Sequence, residues 1–263
     1  MPELPEVEAV CRKLRADAVG STIVNARMLR RRNRRLEDRL RSREITAVKR
    51  RGKNLLLHLS GELVLRVHLR MSGNLYVLAA GQARPATTRA YFELNDARTL
   101  VFDNPRALGI IELLTPAEWE AAAASLGMEP LSEEFTVEWL AAAAARSRQP
   151  AKCFLLNQSH LAGLGNIYSA EALHRARIHP AKPMNRLRRQ KLEALHAAVV
   201  RVLRDAVKSA CNAYAGAGRY NSLEIFPVAV YGREGLPCPV CGRLVRRILQ
   251  AGRATYYCPG CQR

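Results

Sequence analysis

The sequence has few aromatic residues and no long apolar run, and both deficits narrow the functions open to it. Phe, Trp and Tyr make up 6% of the 263 residues, which is too few for rings stacked on bases to be the main binding device. No apolar stretch is long enough to cross a bilayer. No basic region followed by an apolar core, the pattern of a signal peptide, is present. We therefore expect a cytoplasmic protein.

Acidic residues are also scarce, and the resulting charge points to a polyanionic partner. Lys and Arg number 42 against 23 Asp and Glu, which leaves a formal net charge of +19. Such an excess destabilises the compact state by self-repulsion unless a polyanion offsets it. We predict nucleic acid as the partner, and association with a bacterial nucleoid. The plainer alternative is a soluble protein from an arginine-rich proteome.

The first half of the chain has the pattern of one helix followed by a β-rich region. Pro5 suits the first position of a helix, and Gly20 suits its end. Apolar runs separated by turn residues predict eight strands, at 22–29, 45–50, 54–59, 63–69, 75–78, 90–94, 99–102 and 110–114. Eight short strands without intervening helices are typical of a sandwich or flattened barrel. The basic segment 30–43 has no clear period and is predicted to be a solvated loop.

The second half of the chain is predicted to be helical. Thr115-Pro116-Ala117-Glu118 has the pattern of a capping box and begins a helix that reaches about residue 125. Apolar periodicity predicts further helices at 136–145, 151–156, 166–176 and 187–209. The fold class is therefore α+β, with an N-terminal domain at 1–127, a linker at 128–135, a helical domain at 136–228 and a cysteine-rich finger at 229–263.

Four of the seven cysteines have the spacing of a metal site. Cys238 and Cys241 form one C-x-x-C pair, Cys258 and Cys261 form another, and sixteen residues separate the pairs. Four thiolates at this spacing close a tetrahedral shell around zinc. We predict one structural Zn²⁺ with no open position for a catalytic water. The arginine-rich segment between the pairs predicts a basic, two-stranded finger.

The first residues admit two interpretations. If Met1 is removed, Pro2 presents a secondary amine that titrates near neutrality and can act as a nucleophile. Glu3 beside it is a possible acid or base. The alternative is structural, because many chains begin with Met-Pro and a glutamate in the first turn of a helix favours the helix dipole.

Five segments, taken together with the cysteine pairs, resemble one known family. They are PELPEVE at 2–8, RGK at 51–53, HLRMSG at 68–73, GLGNIY at 163–168 and RATYY at 253–257. Over essentially its full length the chain resembles the formamidopyrimidine-DNA glycosylase / endonuclease VIII family of base-excision-repair enzymes. The resemblance implies an eight-stranded β-sandwich, a helix-two-turn-helix domain and a zinc ribbon. It also implies a monomer whose partner is damaged double-stranded DNA.

The resemblance implies a catalytic role for five residues. Pro2 is the nucleophile, which forms a Schiff base with C1′ of a damaged nucleoside, and β- and δ-elimination follow. Glu3 is the proton donor, and Glu6 supports the site. Lys53 and Arg253 act as proton donors or phosphate contacts.

The resemblance also assigns DNA-binding residues outside the chemistry. Lys152 and Asn166 lie beside the lesion and its flanking phosphates. A flipped base leaves a gap in the duplex, and Met71, Arg106 and Leu108 are expected to fill it.

Two features depart from the formamidopyrimidine branch of the family. That branch usually carries an arginine and a phenylalanine where this chain has Ala107 and Leu108, and the segment 215–222 lacks a pattern for holding an oxidised purine. We predict a bifunctional glycosylase and lyase for oxidised purines such as formamidopyrimidine and 8-oxoguanine. One alternative keeps the chemistry but changes the substrate to oxidised pyrimidines or another lesion. The other is a zinc-ribbon DNA-binding protein without enzymatic activity.

Overall fold

The computed structural model describes residues 2–29, 33–214 and 226–263, and these form two compact units. Unit 1 contains residues 2–124 and 207–214, and unit 2 contains residues 125–206 and 226–263. The boundaries predicted from sequence stay a prediction. Met1 and the segment 215–222 lie outside the described residues.

Unit 1 contains eight strands and three complete helices. In chain order its elements are α1 (Leu4–Ala18), β1 (Thr22–Met28), α2 (Arg34–Leu40), β2 (Arg43–Arg51), β3 (Asn54–Leu59), β4 (Leu63–His68), β5 (Asn74–Leu78), β6 (Thr88–Leu94), β7 (Thr99–Asp103), β8 (Ile110–Leu114) and α3 (Pro116–Ala123).

Unit 2 is helical and ends in a hairpin. Its elements are α4 (Val137–Ala145), α5 (Ala151–Leu156), α6 (Asn166–Arg175), a 3₁₀ turn (Met184–Arg186), most of α7 (Arg189–Ala213), β9 (Arg246–Gln250) and β10 (Arg253–Tyr257). From Val207 onward, α7 belongs to unit 1. Among the described residues, no helix has the length and apolar character needed to cross a membrane.

The eight strands form one antiparallel sheet that doubles over between β1 and β2. The strand order is β5-β7-β6-β1-β2-β3-β4-β8. Strands β1 and β2 share only two residue pairs, Thr22 with Glu44 and Ile23 with Arg43. The apolar faces of both halves, β5-β7-β6-β1 and β2-β3-β4-β8, contribute to a single buried cluster. The predicted β-sandwich is therefore confirmed.

Helix α1 is held in the core of unit 1 along its whole length. Pro5 lies in its first turn, where a missing N–H has no consequence. The helical spacing of Val7, Val10, Cys11 and Leu14 produces one apolar face, and all four side chains are fully buried. The N-terminal end of the chain is thus fixed by packing rather than left to fray.

The predicted loop at 30–43 is wrong in part, because residues 34–40 form α2. The Asn33 side chain caps this helix by accepting the Leu36 N–H at 3.1 Å. Glu37 is buried and its Oε1 accepts the Met28 N–H at 2.8 Å, while Leu40 is fully buried. The helix therefore depends on an acid that packs inward, a contact that the basic composition of the segment conceals.

Truncation of Leu57, which is fully buried at the centre of β3, tests how far this shared core stabilises unit 1. We expect Leu57→Ala to lower the free energy of unfolding of unit 1 by about 2–5 kcal/mol, because a cavity adds to the lost burial. The chain has two tryptophans, Trp119 in unit 1 and Trp139 in unit 2. Urea unfolding followed by Trp119 fluorescence in a Trp139→Phe background therefore reports on unit 1.

The matched control is Val24→Ala in β1, since Val24 is 46% exposed. We expect it to cost less than about 1 kcal/mol. Equal losses for the two variants would contradict a core shared by both halves of the sheet.

Candidate functional site

The N-terminus of α1 carries two buried carboxylates in a fixed arrangement. Glu3 is the N-cap residue, and Glu6 Oε2 accepts its backbone N–H at 2.7 Å. Both glutamates are almost fully buried, and Pro2 is buried as well. Glu6 therefore holds the backbone that joins Glu3 to Pro2. This contact is a physical basis for the supporting role predicted for Glu6.

A third carboxylate, that of Glu8, connects α1 to the turn that bears Lys53. Arg50 Nε donates to Glu8 Oε2 at 2.9 Å, and Arg50 Nη1 donates to the Gly52 carbonyl at 3.0 Å. Lys53 follows directly, with its side chain largely buried. The structure therefore links the turn that bears Lys53 to the helix that begins beside Pro2.

Electrostatics favour the ionised form of Glu8. Burial by itself would raise the pKa of this carboxyl, but hydrogen bonds from Arg12 and Arg50 and their positive charges outweigh it, so the pKa lies below its ordinary value. Glu8 is ionised at neutral pH and compensates the buried Arg50 guanidinium. Sequence reasoning missed this pair, because the partners are 42 residues apart.

His68 supports the loop that follows β4 in its neutral form. Its Nδ1 accepts the Arg70 N–H at 3.0 Å. Burial, together with the charges of Arg70, Arg66 and Lys53, lowers the pKa of His68 to about 4. At neutral pH the imidazole therefore remains an acceptor and adds no further charge beside Lys53.

Two loops of unit 1 lie side by side and expose apolar tips. Arg106 donates its backbone N–H to Ser72 Oγ at 3.4 Å, which joins the loop of Met71 to the loop of Leu108. Met71 is 42% exposed and Leu108 is 56% exposed, and the Arg106 side chain is exposed. The structure thus brings together the three residues predicted to fill a gap in DNA.

Backbone contacts fix the shapes of these loops. Arg89 donates through Nε to the Asn104 carbonyl at 3.0 Å and through Nη2 to the Pro105 carbonyl at 3.3 Å. In the neighbouring loop, a Cβ added to Gly73 would lie 2.4 Å from the Leu69 carbonyl oxygen. Only glycine therefore fits this turn. The sequence motif identified Gly73, but nothing near Arg89 indicated its role.

In unit 2, three further residues predicted to act on DNA lie along one chain of contacts. Lys152 is fully buried, and its Nζ donates to the Asn166 carbonyl at 2.9 Å. Asn166 Nδ2 donates to the Ala254 carbonyl at 2.9 Å. Arg253, the preceding residue, is exposed at the start of β10. The Lys152 ammonium thus braces the first turn of α6, and Asn166 connects that turn to the finger.

The glycine hairpin before α6 is organised by a residue that sequence reasoning passed over. Gln158 Nε2 donates to the carbonyls of Leu156 and Leu164, at 3.0 and 2.8 Å, and Gln158 Oε1 accepts the Gly163 N–H at 2.9 Å. A single amide side chain therefore spans the hairpin. A glutamine in a polar loop gives no signal of this in the sequence, since its partners are backbone atoms.

The four predicted zinc ligands converge at one point of unit 2. The Sγ atoms of Cys238, Cys241, Cys258 and Cys261 lie within 4.8 Å of one another. Four thiolates around a tetrahedral zinc are about 3.8 Å apart, and two of the Sγ pairs are 3.3 and 3.9 Å apart. A Cβ on Gly260 would lie 2.9 Å from the Cys241 Sγ, so the knuckle requires glycine. The donor set therefore fits one structural Zn²⁺ with a closed shell.

Three family models cover most of the chain in the order of these units. The formamidopyrimidine-DNA glycosylase N-terminal domain matches residues 1–111, the H2TH domain of the same enzymes matches residues 126–214, and the zinc finger found in FPG and IleRS matches residues 235–263. The chain belongs to the formamidopyrimidine-DNA glycosylase family. The resemblance noted from sequence is confirmed.

Relatives and solved structures agree with this assignment over full lengths. The formamidopyrimidine-DNA glycosylase of Chloroflexus aggregans is 41% identical, and the match covers all of this chain and 98% of that protein. A Lactococcus lactis FPG (MutM) bound to FAPY-dG containing DNA has a TM-score of 0.88 at 31% identity, with 99% and 100% of the two chains covered. MutM bound to carbocyclic 8-oxo-G containing DNA has a TM-score of 0.86 at 30% identity, with full coverage of both chains.

Removal of the Glu8 charge tests whether the contact between α1 and the turn of Lys53 is electrostatic. At pH 7, Glu8→Gln should lower the free energy of unfolding of unit 1 by about 1.5–3 kcal/mol, the range for hydrogen bonds to charged groups. The folded-state pKa of Glu8 lies below the ordinary value of 4.5 for this group. The advantage of the native chain should therefore be complete above about pH 4.5 and disappear as the pH falls through the folded-state pKa.

The measurement is urea unfolding followed by Trp119 fluorescence at pH 7 and at pH values below 4. Glu62→Gln, an exposed acid in the β3–β4 turn, is the control and should change stability little at any pH. A stability difference for Glu8→Gln that stays constant down to pH 3 would show that the charge is not what matters.

Proposed function

We propose that this protein is a bifunctional DNA glycosylase and abasic-site lyase of base excision repair that removes oxidised purines from double-stranded DNA. The observation that carries the proposal is the packed N-terminus of α1, which holds Pro2, Glu3 and Glu6. The chain around it matches the family over its whole length. The relatives carry the name formamidopyrimidine-DNA glycosylase. A monomer acting on nucleoid DNA fits this function.

The proposed chemistry begins with the secondary amine of Pro2. Its lone pair attacks C1′ of the damaged nucleoside, the glycosidic bond breaks, and the base leaves with the bonding electrons. Glu3 donates a proton to the deoxyribose ring oxygen or to the base. Pro2 loses its N–H proton, the C1′–O4′ bond opens with its electrons going to O4′, and O4′ takes up a proton as a hydroxyl. The product is an iminium whose nitrogen has no further hydrogen to lose, so it stays cationic and acts as an electron sink.

Elimination follows from this iminium. Loss of the C2′ proton moves electrons toward the nitrogen and expels the 3′ phosphate, and a second elimination expels the 5′ phosphate. Hydrolysis releases the sugar fragment from Pro2 and leaves a one-nucleotide gap. Arg50 binds both Glu8 of α1 and the Gly52 carbonyl, so it holds the turn that bears Lys53 to the helix that follows Pro2. This supports a role for Lys53 as proton donor or phosphate contact.

The remaining roles concern the grip on DNA. Asn166 and the exposed Arg253 belong to one set of contacts in unit 2, and this supports phosphate binding by both. The buried Lys152 favours a role in holding the Asn166 turn in place. Exposed Met71 and Leu108 suit apolar wedges.

Trapping with borohydride tests the nucleophile. Reduction of an iminium leaves a stable covalent bond, so the protein incubated with lesion DNA and borohydride should yield an adduct of one protein and one strand. Pro2→Gly should bind DNA but lose most incision. Intact mass first establishes that Met1 has been removed.

A chain with an uncleaved N-terminal extension is the matched control, because its Pro2 nitrogen is an amide and cannot attack. It should bind lesion DNA without forming an adduct. Absence of an adduct with the native chain would falsify the lyase assignment and favour a non-enzymatic DNA-binding protein. Equal incision by Pro2→Gly would refute the assigned nucleophile.

A panel of duplexes tests the lesion. We expect the highest incision rates for formamidopyrimidine and 8-oxoguanine, and strong preference for thymine glycol or dihydrouracil would overturn the purine assignment while leaving the chemistry intact. Ala107→Arg restores the charge usual in the formamidopyrimidine branch. It should raise DNA affinity and steepen the dependence of log K on log salt by about 1 if residue 107 reaches a phosphate.

A further inference from the structure

The last turn of α6 reaches the zinc site through a histidine that no sequence pattern marked as a ligand. His174 Nε2 lies 3.4 Å from the Cys238 Sγ. The His174 side chain is only 6% exposed, and Cys238 is 2% exposed. The contact is therefore shielded from water on both sides.

The chemistry of a metal-bound cysteine fixes the direction of this contact. A cysteine that ligates zinc is a thiolate, so its sulfur has no hydrogen to give. The imidazole must then donate, which requires a hydrogen on Nε2. A closed shell of four thiolates around Zn²⁺ carries about two net negative charges, and N–H donors to the sulfurs offset this charge.

Burial makes such a donor more important at Cys238 than at Cys241, which is exposed. Water can solvate the sulfur of Cys241, but it has little access to Cys238. The backbone N–H groups of Val240, at 3.5 Å, and of Cys241 donate to the Cys238 Sγ, and His174 adds a donor from a different element that lies closer than Val240.

The same helix holds the finger at two further places. Glu171 accepts the backbone N–H groups of Ala229, Val230 and Tyr231 at 2.8–3.0 Å, and Asn166 donates to the Ala254 carbonyl at the other end of α6. Of these contacts, only that of His174 involves a metal ligand. Helix α6 thus extends from a predicted phosphate contact to the zinc shell.

We propose that His174 is an outer-sphere positioning residue of the zinc site, whose Nε2–H donates to the thiolate of Cys238. Partners of this kind orient metal ligands and typically change metal affinity 10- to 100-fold. The contact retains the metal and keeps the finger, with Arg253, seated on the helix that begins at Asn166. If His174 acted only through packing, a phenylalanine at this position would serve equally well.

Two substitutions separate donation from packing. His174→Gln places an amide N–H near the position of Nε2, whereas His174→Phe keeps a ring of similar size without a donor. In the full-length chain loaded with Co²⁺, His174→Phe should shift the sulfur-to-cobalt charge-transfer band, and His174→Gln should restore it toward the native position. With Zn²⁺ bound, release to a chelating dye should be at least about tenfold faster for His174→Phe and close to native for His174→Gln.

His179→Phe is the matched control. His179 packs edge-on against Tyr257 in the finger, with ring centroids 4.7 Å apart, but its ring nitrogen Nδ1 accepts the Ala181 N–H instead of approaching a thiolate. Its charge-transfer band and zinc-release rate should match those of the native chain. A native band and release rate in His174→Phe, or equal impairment in His174→Gln and His174→Phe, would overturn the proposal.

A measurement on the native chain covers the case in which a variant folds poorly. Long-range ¹⁵N–¹H spectra of the zinc-loaded protein show which ring nitrogens of His174 carry a hydrogen. A hydrogen on Nε2 supports the proposal, and a hydrogen on Nδ1 with a bare Nε2 overturns it.

Discussion

The burial of α1 is the constraint on which unit 1 depends. A chain terminus normally frays, because few contacts hold it, and a nucleophile on a terminus would lose the orientation that catalysis needs. Here the helix beginning at Leu4 lies in the apolar core, and Glu6 fixes the backbone of Glu3. The core of the sandwich therefore fixes the position of α1. The first residues are held in place because the helix packs along its whole length.

Several polar side chains in both units stabilise backbone segments that lack regular secondary structure. Gln158 spans the glycine hairpin, Arg89 holds the loop of Leu108, and Glu171 gathers three successive N–H groups. An unsatisfied buried backbone group costs about 1–3 kcal/mol, so irregular segments need such partners wherever secondary structure cannot supply them. The loops that carry the candidate DNA contacts are shaped by these side chains.

The sequence predicted regular elements well and tertiary polar contacts poorly. Strands β3 and β8 begin and end where the apolar runs and turn residues predict, and the bounds of α5 are also those predicted. The cysteine spacing identified the metal site because its ligands are local pairs. Helix α2 was missed because Glu37 packs inward among arginines, and Glu8, Arg89, Gln158 and His174 were missed because each acts on a partner that only folding brings near. Spacing in sequence reports periodicity and short loops, whereas such contacts depend on the completed topology.

The strand order has a consequence for the history of the N-terminus during synthesis. Strands β2, β3 and β4 are successive hairpins, but β1 pairs with β6 across about 65 residues of chain, and long-range pairs form late because loop closure must precede them. The core that receives α1 is therefore incomplete until β7, ending at Asp103, has left the ribosome, which takes about 5–20 s at bacterial rates of elongation. During that interval the segment that becomes α1 lacks the core that buries it, whereas in the folded chain Pro2 and Leu4 are buried. The ordering of Pro2 and Glu3 therefore depends on strands that are synthesised much later in the chain.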